Sequence, residues 1–426
     1  MTLTYCNKAE GTAQDGCMFL LSRLFKSLFK IGRLTVVDAR GRSSTYGDLP
    51  GPNITIRLHD KAIEWPLALN PRLAVGEAFM DGRLTVENAD IFQFLDLCAQ
   101  NTQRFQDFAA FDPLYRVDKL FRALQQFNPA PRSRANVHHH YDLSGQLYDL
   151  FLDADRQYSC AYFRTGNDSL EAAQDNKKRH IGAKLLLKPG AKVLDIGSGW
   201  GGLGIYLARA GAGTVHGVTL STEQLEVSNR RAEAAGLADR VKFHLRDYRE
   251  QTGRFDRIVS VGMFEHVGVR HYPEFFAKVR DLLADDGVAL LHSIGRSDGP
   301  GVTNPWIRKY IFPGGYAPAL SEVLPIVERA GLWVTDIEIL RLHYADTLSE
   351  WRRRFNRARD QIRKIYDERF CRMWEFYLAG SEVAFRREGH MVFQMQLAKR
   401  VDAVPRTRDY IHDWENTHAT VGALAS

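Results

Sequence analysis

The stretch VLDIGSGWGG, residues 193–202, decides the fold of this chain. Its apolar start predicts a buried strand, and Gly197, Gly199 and Gly202 then follow at the spacing G-x-G-x-x-G before an apolar helical pattern. A glycine-rich turn between a strand and a helix lets the backbone approach a bound cofactor closely. The stretch therefore predicts a cofactor site at the carboxyl end of a strand.

Beyond about residue 175 the sequence alternates between strand and helix patterns, as a mostly parallel sheet with helices on both faces requires. The predicted strands are, in chain order, AKVLDIG, GTVHGVTL, VKFHLRD, FDRIVSVG and GVALLHSIG. The predicted helices among them are GLGIYLARAG, STEQLEVSNRRAEAAG and YPEFFAKVRDLLADDG. This alternation predicts a doubly wound α/β fold.

The chain has 426 residues, more than a single core usually serves, so we expect two domains. Residues 1–127 combine a hairpin, strands and helices and predict a smaller α+β domain. The segment 128–137 contains two prolines and no apolar periodicity, and is predicted to be a linker. Residues 138–415 then form the domain that contains the α/β sheet.

Cysteine spacing and net charge limit the kinds of metal site and binding partner that this protein can have. The five cysteines are scattered and form no C-x-x-C pair, which argues against a disulfide framework or a structural zinc site and fits a reducing cytoplasm. The formal net charge of +6 favours acidic partners, either phospholipid or nucleic acid. No basic stripe with regular aromatic residues marks a nucleic-acid groove. We therefore expect no metal and no nucleic acid.

The first apolar run, MFLLSRLFKSLF at 18–29, is too short and too charged to span a bilayer. On a helix, Arg23, Lys26, Lys30 and Arg33 would lie on one side and apolar residues on the other. Such a helix suits an anionic bilayer surface, although a helix packed on its own domain also explains the pattern. The prediction is a cytoplasmic protein, peripheral at the inner face of the membrane.

Two features separate the glycine loop from a nicotinamide site. A dinucleotide site requires an acidic residue at the end of the second strand, where this chain has Val218, Thr219 and Leu220. Asp195 precedes the first glycine, where a dinucleotide fingerprint usually has an apolar residue, and a carboxylate there suits an ammonium and a sulfonium. The loop resembles the first motif of class I S-adenosylmethionine-dependent methyltransferases, a Rossmann-like fold, so S-adenosylmethionine is the predicted cofactor.

Polar residues at the next strand ends complete the predicted cofactor site. The class usually has an acidic ribose ligand after the second strand; this chain lacks it, so TLSTEQ at 219–224 must supply polar contacts. Asp247 is predicted to bind the adenine amino group and Tyr248 the adenine face, with a surface aromatic beside a turn as the alternative for Tyr248. These cofactor residues are Asp195, Gly197, Gly199, Thr219, Ser221, Gln224, Asp247 and Tyr248.

Further segments occur in the order HHYDLSGQLYDLFLD, QYSCAYF, VLDIGSGWGG, TLSTEQL, MFEHVG, LLHSIG, YIFPGG and HYADTLSEW. Together they resemble the cyclopropane-fatty-acyl-phospholipid synthase family, which includes the mycolic acid cyclopropane synthases. The resemblance covers about residues 136–400, and the set is more specific than one glycine loop. The amino-terminal unit resembles, through weaker motifs, the lipid-binding domain of the bacterial phospholipid enzymes, which also suggests a homodimer.

The resemblance implies transfer of a methylene group from S-adenosylmethionine to the cis double bond of an unsaturated phospholipid acyl chain. An alkene is a poor nucleophile, so holding it in line with the methyl group is a large part of the catalysis. Methyl transfer leaves a carbocation, and loss of a proton from the new methyl closes the cyclopropane ring. The site therefore needs a base beside a cation, in a dry pocket.

In this family the base is a bound bicarbonate, whose ligands the resemblance carries to this chain residue by residue. They are Cys160, Glu265, His292, Tyr344 and the backbone amide of Ile294. A neutral histidine, a thiol and a phenol donate hydrogen bonds to an anion, whereas Glu265 accepts one from the bicarbonate hydroxyl. The segment that ends at Cys160 should form a cap in which Tyr158 and Ser159 contact S-adenosylmethionine.

One residue departs from the family. Many members carry a cysteine in the helix FYLAGSEVAF, where this chain has Ser381, so we predict that the cysteine is dispensable.

Three alternative functions stay open: a methyl- or methylene-branched product, a methyltransferase for small molecules, and a non-catalytic lipid-binding module. The apolar stretches argue against the second, and the intact glycine loop with its full ligand set argues against the third.

Overall fold

The computed structural model describes residues 9–102, 145–419 and 421, with side chains from residue 18 onward. The described chain forms two compact units. The first unit contains the residues up to 102 together with Asn304–Ile311 and Phe355–Glu388, and the second unit contains the rest. The predicted linker at 128–137 lies outside the described residues.

The first unit is built on a four-stranded sheet. Its amino-terminal elements are α1 (Ala9–Leu28), β1 (Ile31–Val37), β2 (Ser43–Tyr46), β3 (Leu49–Leu58), α2 (Glu64–Leu69), α3 (Pro71–Met80), β4 (Leu84–Val86) and α4 (Ile91–Thr102). The strand order is β2-β1-β3-β4, with β1 antiparallel to β2 and parallel to β3. This arrangement confirms the predicted hairpin and the α+β character of this part of the chain.

Helix α1 is amphipathic but shorter than the sequence pattern suggested. It ends at Leu28, so Lys30 and Arg33 lie beyond it. Phe19 and Leu20 are exposed on the helix. The residues that pack on the core of the unit are Leu21, Leu24, Phe25 and Leu28. Within the described ranges, no helix combines the length and the apolar character that a bilayer crossing needs.

The remaining helices and strands follow in chain order. They are α5 (Gly145–Phe151), α6 (Leu170–Lys184), β5 (Lys192–Ile196), α7 (Gly202–Arg209), β6 (Thr214–Thr219), α8 (Thr222–Ala234), β7 (Val241–Leu245), β8 (Phe255–Val261), α9 (Tyr272–Leu282), β9 (Leu283–Arg296), α10 (Pro305–Tyr310), α11 (Leu320–Arg329), β10 (Trp333–Ile339), α12 (His343–Ile365), α13 (Glu368–Arg387), β11 (His390–Ala398) and α14 (Asp409–Thr417). The predicted strands all appear, as β5 to β9.

The second unit contains a seven-stranded sheet of order β10-β11-β9-β8-β5-β6-β7. Strands β5 to β9 pair in parallel with one another, whereas β11 is antiparallel to both β9 and β10. The strand order reverses at β5: β6 and β7 lie on one side of it, and β8 and β9 lie on the other. Ligands of doubly wound folds bind at such a switch point, at the carboxyl ends of the strands. The predicted doubly wound α/β fold is confirmed.

Apolar clusters cover both faces of this sheet. Successive strand residues point to opposite faces, so a strand buried on both sides reads as a continuous apolar run. Leu194 and Ile258 belong to one cluster, whereas their chain neighbours Val193 and Val259 belong to the other. This double burial explains why VLDI and RIVSV carry few polar residues.

The predicted domain at 138–415 differs from the second unit, because α10 and α13 belong to the first unit. Helix α13 packs on α3 and α4, and α10 packs on α3. Trp306 of α10 is fully buried, and its ring centroid lies 4.7 Å from that of Phe376 on α13. The packing of these aromatic side chains therefore places α10 and α13 in the first unit, although the neighbouring segments of the chain belong to the second.

Candidate active site

A cleft in the second unit lies beside the glycine loop, at the carboxyl ends of β5 to β8. Its lining includes every predicted cofactor residue except Ser221, namely Tyr158, Ser159, Asp195, Gly197, Gly199, Thr219, Gln224, Asp247 and Tyr248. Ser221 instead caps α8, where its hydroxyl accepts a hydrogen bond from the Gln224 amide. The structure thus brings several strand ends and the cap segment to one cleft.

The first glycine of the loop is required by its conformation and by a close approach. Gly197 has φ of +82°, in the left-handed region. A Cβ atom on Gly197 would lie 2.7 Å from the Cβ of Met263, which follows β8. Any larger residue would therefore push two strand ends apart at the floor of the cleft.

Asp195 supplies an unpaired negative group inside the cleft. Its side chain is buried, and its Oδ2 has no hydrogen-bond partner among the described residues. Burial raises the pKa of Asp195 to about 7. A buried acceptor of this kind fits the ammonium group of S-adenosylmethionine, so the residues present satisfy the requirements of that cofactor.

The two residues predicted to bind adenine are arranged differently from the prediction in one respect. Asp247 already binds Arg249, whose Nε lies 2.9 Å from Oδ1 and whose Nη2 lies 2.6 Å from Oδ2. Tyr248 lies in the cleft and packs edge-on against Phe275, with ring centroids 5.4 Å apart. The carboxylate predicted to bind the adenine amino group is therefore shared with an arginine that the sequence analysis missed.

Aromatic contacts hold the cap segment that leads to Cys160. The ring of Tyr158 stacks on Trp351 of α12 at 5.1 Å between centroids. Tyr148 of α5 approaches the same tyrosine edge-on at 5.4 Å. Tyr158 is predicted only as a cofactor contact, but its packing also orders the wall of the cleft.

Lys177 of α6 was also missed. It lines the cleft and is fully buried, and its Nζ donates to Gln157 Oε1 at 2.7 Å and to Ser159 Oγ at 2.8 Å. One turn earlier, Gln174 Nε2 donates to the backbone oxygens of Gln157 at 3.2 Å and Ser159 at 3.0 Å. The spacing of Gln174 and Lys177, three residues apart, was the available sequence signal for one polar helix face.

The predicted anion ligands Glu265, His292 and Ile294 lie at the ends of β8 and β9. Glu265 sits in a short 3₁₀ turn after β8, and the Ile294 amide donates to its Oε1 at 2.6 Å. The amide predicted to bind the anion is therefore already engaged by Glu265. Oε2 of Glu265 is buried without a hydrogen-bond partner in the described parts of the chain, and burial raises the pKa of Glu265 to about 7.

His292 is buried on β9 as a neutral ring. Burial, together with the positive charge of Lys177, lowers its pKa to about 3. The side-chain amide of Gln394 on the paired strand β11 donates to Nδ1 at 3.1 Å. The proton of the neutral ring therefore resides on Nε2, which makes that atom a hydrogen-bond donor.

The residue after Cys160 contacts α12, the helix whose first turn contains Tyr344. The Ala161 amide donates to Thr347 Oγ1 at 3.0 Å, and Thr347 follows Tyr344 by about one turn. The Cys160 thiol donates to the Ala161 carbonyl oxygen at 3.3 Å, and burial raises its pKa. Cys160 is therefore a protonated donor rather than a nucleophilic thiolate.

The two groups of residues adjoin along the chain. Ser159 and His266 line the cleft. Cys160, a predicted anion ligand, directly follows Ser159, and Glu265, another, directly precedes His266. The predicted anion ligands do not themselves line the cleft. In the described ranges, no group of three or more His, Cys, Asp or Glu side chains is placed to bind a metal ion.

The sequence matches known proteins over most of its length. The family model for mycolic acid cyclopropane synthetase matches residues 129–395. The chain is 39% identical to cyclopropane-fatty-acyl-phospholipid synthase of Escherichia coli, over 78% of this chain and 84% of that protein. It is 36% identical to a probable fatty acid methyltransferase of Pseudomonas putida (79% and 85% covered) and 34% identical to the tuberculostearic acid methyltransferase UfaA1 of Mycobacterium tuberculosis (86% and 88% covered).

Solved structures give the same assignment. The cyclopropane synthase MmaA2 of Mycobacterium tuberculosis has a TM-score of 0.60 and 33% identity, covering 64% of this chain and 99% of its own. The mycolic acid cyclopropane synthase CmaA1, complexed with SAH and CTAB, has a TM-score of 0.59 and 32% identity at the same coverage. The predicted Rossmann-like class I methyltransferase fold is therefore confirmed. The chain belongs to the mycolic acid cyclopropane synthetase family of S-adenosylmethionine-dependent lipid methyltransferases.

Proposed function

We propose that this protein transfers a methylene group from S-adenosylmethionine to the cis double bond of an unsaturated phospholipid acyl chain and forms a cyclopropane ring. Its identity to the Escherichia coli cyclopropane-fatty-acyl-phospholipid synthase supports this substrate. The observation that carries the proposal is the buried, half-paired carboxyl of Glu265, which is hydrogen-bonded to the strand that carries the neutral ring of His292. Closing the ring requires such a proton acceptor next to anion-binding donors.

The cofactor supplies an electrophilic methyl group when bound, and the residues of the cleft orient it. Asp195 offers an unpaired acceptor for the ammonium group. Thr219 and Gln224, joined by a hydrogen bond of 2.9 Å, offer polar contacts to the ribose, and Tyr248 offers a flat face to the adenine. Tyr158, stacked on Trp351, supplies an aromatic wall on one side of the cleft.

The second group of residues fits a small anion such as bicarbonate, which would supply the base. His292 Nε2 and the Tyr344 hydroxyl are donors that suit an anion. The Cys160 thiol joins them when its hydrogen turns away from the Ala161 carbonyl oxygen. Glu265 can accept a hydrogen bond and hold a proton, because its pKa near 7 allows either protonation state at neutral pH. An anion that uses the Ile294 amide must displace Glu265 Oε1 from it.

A bilayer surface is the proposed source of the substrate, and the first unit offers a surface that suits it. Helix α1 exposes Phe19 and Leu20, with the Arg23 guanidinium 5.7 Å from the Phe19 ring. Helix α2 packs beside α1 and exposes Trp65 and Leu69. Exposed apolar side chains beside basic ones favour an anionic membrane interface. Peripheral binding at the inner face and a homodimer stay predictions.

A methyl- or methylene-branching reaction is the second candidate. The identity of the chain to fatty acid methyltransferases of Pseudomonas putida and Mycobacterium tuberculosis supports it. Both reactions share methyl transfer and differ in which proton the cation loses. The position of the acyl chain relative to the basic anion held at Glu265 would decide between the two reactions.

Mass spectrometry of the acyl chains tests the proposal. Purified protein is incubated with S-adenosylmethionine, bicarbonate and vesicles of either cis-unsaturated or saturated phospholipid. We expect one methylene mass to be gained only on the unsaturated lipid, in a product that resists mild hydrogenation. A mass gain with a reducible alkene would support the branching reaction instead. No gain on any lipid would overturn both.

A further inference from the structure

Lys177 carries a charge into the interior of the second unit, and the carboxylates of Asp153 and Asp155 attract it without forming an ion pair. Its side chain is 1% exposed, and its two hydrogen bonds go to neutral oxygens of Gln157 and Ser159. Among the described residues, no carboxylate lies within ion-pair distance of its Nζ. Burial of an ammonium without a direct ion pair is costly, so the position of Lys177 at the cleft requires an explanation.

The other buried lysines of α6 form ion pairs with carboxylates, which Lys177 does not. Lys178 pairs with Asp155 at 2.7 Å and with Asp175 at 2.8 Å. Lys184 pairs with Glu338. Neither lysine lines the cleft, whereas Lys177 does. The buried lysine of α6 that lacks a direct ion pair is thus the one that faces a ligand site.

Hydrogen-bond chemistry fixes the role of Ser159. An ammonium group only donates, so Ser159 Oγ accepts from Lys177 and its hydroxyl hydrogen must point elsewhere. Ser159 lines the cleft, and Gln174 holds its backbone oxygen. Two side chains one turn apart on α6 therefore set the position of Ser159 and leave its hydroxyl as a donor.

We propose that Lys177 positions the cofactor by fixing Ser159 as a donor into the cleft and by supplying the counter-charge for the carboxylate of the cofactor's methionine part. The inference rests on the proposed function for its choice of ligand. The same methionine part carries the ammonium that Asp195 is suited to bind, so both of its charges find an opposite charge in the cleft.

The electrostatics agree with this role. Burial lowers the pKa of Lys177 to about 8, and the attraction of Asp153 and Asp155, which raises this pKa, offsets the effect of burial only in part. A bound carboxylate would raise that pKa again. The charge of Lys177 also contributes to the lowered pKa of His292, so it reaches the predicted anion ligands as well.

The test compares two ligands on the full chain. S-adenosylhomocysteine contains the methionine-derived carboxylate, and methylthioadenosine lacks the whole amino-acid part. In Lys177→Met we expect calorimetry to show about a tenfold or greater loss of affinity for S-adenosylhomocysteine, because a charge-assisted hydrogen bond is lost. Affinity for methylthioadenosine should stay within about twofold. An equal loss for both ligands, or no loss for either, would overturn the proposal.

Two further variants separate a positioning role from general damage. Lys178→Met removes a neighbouring buried lysine that does not line the cleft, and it should leave the ratio of the two affinities unchanged. In the Ser159→Ala background, Lys177→Met should cost less S-adenosylhomocysteine affinity than it does in the wild type. Fully additive losses would overturn the role assigned to Ser159. If Lys177→Met does not fold, Lys177→Gln replaces it in the same comparison.

The wild-type protein separates this inference from the proposed function. A wild type that fails to bind S-adenosylhomocysteine would overturn both. A wild type that binds it, with a variant whose affinity ratio does not change, would overturn the inference alone.

Discussion

The backbone amide of Ile294 donates a hydrogen bond of 2.6 Å to Oε1 of Glu265, between the ends of the parallel strands β8 and β9. This bond holds one oxygen of the carboxyl, while the other stays buried without a partner in the described part of the chain. Burial raises the pKa of Glu265 to about 7, so the group can take up or release a proton at neutral pH. The relationship between the two residues is the structural basis of the proposed ring closure.

Replacement of Glu265 tests its role as a proton acceptor. Glu265→Gln keeps the shape and can still accept the Ile294 amide, but it cannot hold the proton. We expect the rate of product formation to fall by about a hundredfold or more, the range for loss of a general base. Calorimetry should show S-adenosylhomocysteine affinity within about twofold of the wild type. A rate within about tenfold of the wild type would contradict the assignment.

Asp195 predicts a pH dependence of cofactor binding. Its pKa of about 7 lies above that of an ordinary aspartate, so the ionised form that attracts an ammonium is lost as the pH falls below 7. Affinity for S-adenosylhomocysteine should weaken by about tenfold per pH unit on the acid side. Asp195→Asn should remove this slope, as measured by calorimetry across the range. A variant with the wild-type slope would contradict the prediction.

The same group also makes folding stability depend on pH. A carboxyl whose pKa is raised in the folded state binds its proton more tightly there than in the unfolded chain. Its contribution to the free energy of unfolding is therefore present at low pH and is lost as the pH rises through about 7. Chemical denaturation of the ligand-free protein at several pH values should measure this effect. As the pH rises through about 7, the free energy of unfolding should fall less in Asp195→Asn than in the wild type.

The exposed residues of α1 predict how the protein binds membranes. Replacement of both Phe19 and Leu20 by aspartate removes exposed apolar area and adds negative charge. Co-sedimentation with anionic vesicles should weaken by about tenfold or more. Trp333→Asp is the matched control, because Trp333 is also exposed but lies on β10 of the second unit. Equal binding by the α1 variant and the control would refute a role for this helix.

Ser381 tests whether the family cysteine matters. Ser381 lies half-buried on α13, in the first unit, whereas Glu265 and His292 belong to the second. We predict that Ser381→Cys changes the rate of product formation by no more than about twofold, the usual effect of a small, nearly isosteric substitution. A large gain in rate would show that the serine impairs this protein.

The features that are local in sequence were predictable. Strands β5 to β9 and the glycine loop follow from apolar runs and turn residues that neighbours along the chain determine. The position of Asp195 at a strand end also followed, because parallel strands bring their carboxyl ends to one edge. The shared edge of the sheet at which the predicted cofactor residues lie could therefore be located before any side chain was placed.

The features that depend on tertiary packing were not predictable in this way. Helices α10 and α13 join the first unit because Trp306 and its neighbours are buried there, which no local pattern reveals. The pairing of Arg249 with Asp247, and of Lys177 with Ser159, depends on side-chain directions. A charged residue on a helix usually lies in solvent, so the burial of Lys177 ran against the sequence expectation.

Methyl-deuterated S-adenosylmethionine tests the proposed reaction most directly. The protein is incubated with this cofactor and vesicles of a cis-unsaturated phospholipid, and the acyl chains are analysed by mass spectrometry before and after mild hydrogenation. Ring closure by loss of a proton from the transferred methyl predicts a product that has lost one deuterium and resists hydrogenation. A product that retains every transferred deuterium, or that takes up hydrogen, would contradict cyclopropane formation.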